Sequence, residues 1–187
     1  MSEPLHPPCD VPIPPAVAEL LELARAAVEA EDWVAAGHAG VAAAVRGSAD
    51  GARLASQVAG PIRQLADGGS ARAAALLAGI FLEYFHESAL PMAVSYAKAA
   101  AEAGDPAGQR TYGYLLAEGV GVEAEPARAV ALFRAASEGG DAHAAFNLAQ
   151  RTEDGDAAML LLRRAAERGL AMAGAALGDR LSTPDRP

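Results

Sequence analysis

Several short strings in this chain hold residue types that can do chemistry. Glu118-Gly119-Val120-Gly121-Val122 has glycines spaced as in a loop whose backbone N–H groups cradle a phosphate. The third glycine and the preceding strand of such loops are missing, and the only lysine, Lys98, lies upstream. The glycines therefore fit a loop that needs positive φ between two helices. Glu83 and His86 stand three apart, which puts a carboxylate and an imidazole on one helix face, as in di-iron bundles. That chemistry needs a second copy and two further carboxylates, and no second copy exists. The four histidines (His6, His38, His86, His143) are scattered, and no H-E-x-x-H string occurs.

Glu153-Asp154-Gly155-Asp156 is acidic, but a calcium loop spreads its carboxylates at alternate positions over a frame of about twelve residues. Ser70 follows Gly68-Gly69 outside any G-x-S-x-G. Cys9 sits in a Pro-rich stretch with nothing to lower its pKa. A single cysteine also excludes an intramolecular disulfide framework and a cysteine zinc site. The expectation is a non-enzymatic chain with no catalytic residue, no metal site and no cofactor.

The elements that carry these residues follow from composition. Alanine supplies 49 of the 187 residues, and it is the best helix former and a poor strand former. The formal charge of −9 opposes a nucleic-acid binder, which must neutralise phosphates with a basic surface. The longest uncharged run, Trp33 to Val45, falls short of the roughly 18 residues that suggest a membrane span. No export signal is visible, because the first fifteen residues hold Glu3, Asp10 and six of the twelve prolines. A cytoplasmic chain that meets neither nucleic acid nor membrane is expected. Its acidic excess serves dispersion in water more than the steering of a basic partner. Residues 1–15 cannot be helical and read as a tail, although Pro12-Ile13-Pro14-Pro15 fits a bare P-x-x-P.

From Ala16 onward the chain reads as ten helices of roughly 10–18 residues in antiparallel pairs. Pro91 and Pro126 stand where helices begin, and glycines follow the Ala-rich runs where helices end. Those glycines reveal a repeat. Gly69, Gly104, Gly140 and Gly169 lie 35, 36 and 29 residues apart, a period typical of solenoids. Four residues past each anchor stand Ala73, Gly108, Ala144 and Ala173; nine past stand Ala78, Gly113, Ala149 and Gly178. Eight past come Leu77, Tyr112, Leu148 and Leu177, and twelve past come Phe81, Leu116, Thr152 and Leu181. These columns share one helical face, small residues for close approach and large ones as filling. Leu148 and Leu177 are expected to be buried. Upstream of each anchor, Ala93, Ala129 and Ala158 align, as do Tyr96, Leu132 and Leu161.

Ala100-Ala101-Glu102-Ala103-Gly104, Gly108-Gln109, Tyr112-Gly113, Gly119-Val120-Gly121-Val122 and Ala129 resemble the Sel-one-like repeat, a relative of the tetratricopeptide repeat. The resemblance covers roughly residues 66–182 and is strongest over 100–140. Upstream, Leu23-Ala24, Trp33, Ala36 and Ala43 look only generally tetratricopeptide-like. Two places depart from the pattern. Gly155 leads to Ala158 in three residues where Gly119 takes ten to reach Ala129, and Tyr84-Phe85-His86 lacks loop glycines.

The resemblance implies an all-α, right-handed superhelix of antiparallel helical hairpins that works as a protein-interaction scaffold or adaptor. Its expected parts are a tail (1–15), divergent N-terminal helices (16–68), repeats (69–182) and a short tail (183–187). The divergent helices would be a hairpin over 16–46 followed by a connecting helix over 50–67. The last helix, about 171–182, is unpaired and acts as a cap through Asp179 and Arg180.

The face opposite the packed columns lies three, six, ten and thirteen residues past each anchor and varies from repeat to repeat. Arg72, Arg110, Tyr114, His143, Phe146 and Gln150 are its candidates for gripping a protein or peptide partner, since aromatics and arginine dominate binding hot spots. A monomer is the expected state. Two other readings stay open: an enzyme or small-ligand or metal sensor near Tyr84, His86, Tyr112 and Tyr114, and a structural subunit of a homo-oligomer.

Overall fold

The computed structural model describes residues 16–84 and 89–182. The Pro-rich segment, Cys9 and His6, the Phe85–His86 pair and the last five residues lie outside this range, and the side chains of Glu83 and Tyr84 are also outside it. The described residues form ten helices and no strand. They are α1 (Val17–Glu29), α2 (Trp33–Val45), α3 (Ala49–Asp67), α4 (Ala71–Tyr84) and α5 (Leu90–Glu102), then α6 (Pro106–Glu118), α7 (Pro126–Glu138), α8 (Ala142–Ala149), α9 (Gly155–Glu167) and α10 (Ala171–Ser182).

Each helix packs on the next, and helices two apart also touch: α1 on α3, α2 on α4 and α4 on α6. This is the packing of an all-α solenoid. The core follows the same logic. One apolar cluster joins α2 to α5 around Ile62, Leu76 and Phe81; the next joins α4 to α8 around Leu115, Leu116 and Phe133; a third joins α8 to α10 around Leu162 and Ala173.

One turn design recurs along the array. Gly69, Gly104, Gly140 and Gly169 have φ between 82° and 98°, and Gly47 has 85°. Beside each, two N–H groups reach back to the carbonyls of the ending helix, as Gly104 and Asp105 do to Ala101 and Ala100 at 3.0 Å. Except after Gly169, where Leu170 follows, a polar side chain then caps the new helix. Asp105 Oδ1 accepts from the Gly108 N–H at 2.9 Å, and Asp32, Ser48, Ser70 and Asp141 do the same for Ala35, Gly51, Ala73 and Ala144. The α1–α2 turn shares the design with a non-glycine anchor, Glu31, at φ 56°.

The small columns are where backbones meet. A Cβ on Gly108 would lie 2.9 Å from the Ala101 nitrogen, and one on Gly113 would lie 3.0 Å from the Phe133 ring. The four-past column thus seats a helix against the preceding one, and the nine-past column seats it against its own partner. Ala73, Ala78, Ala144 and Ala173 are fully buried.

Several expectations need correction. The helix over 50–67 is no mere connector. α3 packs more extensively on α2 than α1 does, and Gly51 fits against Ala43 and Ala44 as Gly108 fits against Ala100 and Ala101. It also accommodates Pro61 inside the helix. α8 has only eight residues, shorter than expected, because the chain must reach α9 through a loop lacking the seven residues its neighbour uses. Gly155, aligned with the loop glycines, opens α9 instead. Leu148 is buried, but Leu177 is only half-buried, and Gly178 and Leu181 are exposed. Among the described residues no second helix follows α10 to cover them, so α10 ends on an apolar side as well as on Asp179 and Arg180.

Candidate functional site

The alternate helices α2, α4 and α6, with the turn before α8, line a groove of 740 Å³. Its floor is made of small residues, Ala75, Gly79 and Ala107, and a Cβ added at Gly79 would meet nothing within 4 Å. Apolar walls come from Val41, Leu76, Ile80 and Leu82, and polar groups from His38, Arg72, Asp105, Arg110, Tyr114 and Asp141. The period of the helix explains this lining. Positions 72, 75, 79 and 82 of α4, and 107, 110 and 114 of α6, repeat every three to four residues and so share one face.

The groove brings together three of the six candidate residues, Arg72, Arg110 and Tyr114. Tyr114 is 47% exposed, and Arg110 donates from Nε to Asp141 Oδ2 at 3.0 Å. Asp141 uses its other oxygen to cap α8 at 2.7 Å, so one carboxylate holds both a helix start and a groove cation. His143, Phe146 and Gln150 do not line the groove. His143 is exposed beside Arg110 and Asp141, Phe146 is half-buried against the α8–α9 core, and Gln150 is exposed just past α8. The groove ends at the turn before α8, so His143 and Phe146 lie beyond it although both are inside the helix, and Gln150 falls past the end of the eight-residue α8.

Tyr112 and Tyr114 point apart. Tyr112 is buried in the core with the Arg128 guanidinium 5.3 Å from its ring centroid, while Tyr114 faces the groove. The four residues named for a ligand or metal sensor therefore do not converge on one site through these two. Among the described residues, no group of three or more His, Cys, Asp or Glu could hold a metal ion, and no helix is long and apolar enough to cross a membrane.

His38, Val41, Asp105 and Asp141 are lining residues that the repeat columns did not supply. A signal for them existed. Taking Glu31 as an anchor puts Ala35 and Gly40 in the small columns and Val41 in the same column as Gly79 and Tyr114. The aspartates stand directly after anchor glycines, where an N-cap belongs.

Two histidines, His38 in the groove and His143 outside it, have lowered pKa values. His38 has its pKa lowered, first by burial and then by Arg72, against an opposing pull from Asp105 and Asp32. His143, exposed at its edge but covered on the side of α6, is lowered likewise by this partial desolvation and by Arg110, with Asp141 opposing.

No family model matches the chain, and no curated protein matches it. Solved structures do. The chain is similar to a Sel1 repeat protein from Oxalobacter formigenes, with a TM-score of 0.60 and 22% identity over 79% of this chain and 67% of that one. It is also similar to c5321, a protective antigen of uropathogenic Escherichia coli strains displaying an SLR fold, with a TM-score of 0.61 and 16% identity. That match covers 91% of this chain but only 42% of the other, so this chain spans less than half its length. The fold is that of the Sel1-like repeat proteins, an all-α solenoid.

Proposed function

We propose that this chain is a non-enzymatic protein-interaction scaffold that holds a segment of another protein in the groove across α2, α4 and α6. The observation that carries the reading is the groove itself: a continuous recess with a floor of alanine and glycine, apolar walls and a few polar groups. Its volume falls in the range of about 300–1,000 Å³ found for sites that enclose a ligand. Stacked repeats make such surfaces because packing fixes one face of each helix and leaves the other free. The similar structures, which carry the same fold, support this reading.

Gly79→Leu tests it. The new side chain enters open space and replaces the poorest non-proline helix former with a good one, so the fold is kept while the recess is filled. Proteins recovered from the native host with the unaltered chain should be lost with Gly79→Leu and reduced with Tyr114→Ala, at unchanged thermal stability. Equal recovery by the filled variant would rule the groove out as the binding surface.

A second reading, self-association, is favoured by the uncovered apolar side of α10, where Leu177 is half-buried and Leu181 is 65% exposed. Sedimentation over a range of concentrations separates it from a monomeric scaffold. A mass independent of concentration would dismiss it.

A further inference from the structure

Hydrogen-bond donors without acceptors gather in the groove. Arg72, exposed in the first turn of α4, has no hydrogen bond or ion pair among the described residues. Arg110 commits its Nε–H to Asp141, and neither of its terminal amino groups meets an acceptor among them. The Tyr114 hydroxyl also lacks a partner there. The acceptors of the same lining are largely taken. Both Asp141 oxygens are engaged, by the Ala144 N–H and by Arg110, and Asp105 Oδ1 caps α6. Two guanidiniums and two carboxylates, with Asp105 Oδ2 the one carboxylate oxygen of the lining left without a partner among the described residues, make this lining formally neutral in a chain of charge −9.

We propose that the groove selects an extended peptide segment bearing an Asp or Glu side chain. Its carboxylate pairs with Arg72, and its main-chain carbonyls meet the Arg110 amino groups and the Tyr114 hydroxyl. The inference rests on the groove being the docking surface, and it adds the chemistry of what docks. A guanidinium matches a carboxylate with two parallel hydrogen bonds, the strongest pairing open to Arg72. An extended segment suits the donors better than a helix, whose carbonyls are already satisfied internally. The chain's overall negative charge does not forbid this. At physiological salt, charges beyond about 8 Å are screened, and the groove cations are the near ones.

The experiment selects random peptides of about twelve residues, displayed on phage, against the full chain, and then measures synthetic versions by fluorescence anisotropy. The expected winners carry Asp or Glu among aliphatic residues. Arg72→Ala should weaken the best of them by roughly tenfold, and Gly79→Leu should abolish binding. Arg72→Glu should instead prefer the same peptide with its acid replaced by Lys. Tyr114→Phe, which removes one oxygen, should weaken binding by a smaller factor. Arg72 is exposed and unpaired, so its variants should melt with the unaltered chain.

Neutral or basic winners that Gly79→Leu blocks would overturn the acidic preference and leave the groove reading standing. Acidic winners that bind Arg72→Ala equally well would also overturn it. If no peptide is enriched, or if winners ignore Gly79→Leu, the groove reading falls and this inference with it.

Discussion

At Gly108 a single methyl group decides how closely α5 and α6 approach. Its carbon would lie 2.8 Å from the Ala100 carbonyl carbon and 2.9 Å from the Ala101 nitrogen, and a backbone cannot step aside as a flexible side chain can. Gly108→Ala should therefore cost about 1–3 kcal/mol in urea unfolding, as overpacking does. Gly174 in α10 gives the opposite case. The nearest atom to an added carbon is 4.0 Å away, so Gly174→Ala should gain up to about 1 kcal/mol from helix propensity alone. Glu31 carries an ordinary side chain at φ 56°, and Glu31→Gly should raise the unfolding midpoint by relieving about 1 kcal/mol of strain.

His38 and His143 both have lowered pKa values, so the folded chain binds their protons less readily than the unfolded chain, which protonates them near pH 6.5. Their contribution to stability is complete above that pH and declines as pH falls through it toward the folded values. Replacing both with Gln should flatten the unfolding midpoint between about pH 7 and pH 5.

The small columns at 73, 78, 108, 113, 144 and 149 are legible in the sequence, because period and side-chain size together encode close approach. Gly178 in the same register is exposed, because register cannot say whether a neighbouring helix exists.

At the scale of elements, five helix boundaries are written in two adjacent residues, a positive-φ anchor and a capping aspartate or serine, and a sixth keeps the anchor, Gly169, with Leu170 after it. Four of the anchors stand out in the sequence as glycines in register. Glu31 and Gly47 do not, since one is no glycine and both lie upstream of the clear repeat. This is why the α2–α3 pair is legible as helices but not as a unit of the array. The groove is legible in the same partial way. Arg72, Arg110 and Tyr114 follow from helical period, whereas Phe146 packs against the α8–α10 core instead and Gln150 falls past the end of the eight-residue α8. Element length governs the energetics too. Leu148 is buried against the α4–α8 cluster, so Leu148→Ala should cost about 2–4 kcal/mol. Leu177→Ala, at a half-buried site in the same column, should cost less than half as much in the same urea titration.

Across the described residues, three larger apolar clusters follow one another along the chain, each shared by successive helices, with a small fourth of Ala74, Ala75 and Ala100 between α4 and α5. Stability in such an array passes from neighbour to neighbour, and its ends have neighbours on one side only. Native-state hydrogen exchange should therefore be slowest in α4–α7, where Phe133, Leu115 and Leu116 are fully enclosed, and fastest in α1 and α10. Uniform protection from α1 to α10 would argue for one global unfolding unit instead.

The side of α10 that carries Leu177, Gly178 and Leu181 has the register that Tyr112, Gly113 and Leu116 use to receive α7. A helix patterned like Pro126–Glu138, joined after Ser182, would find its berth already shaped, with no existing residue altered. Lengthening this protein by whole helices is thus a matter of addition, since the receiving surface is already in place.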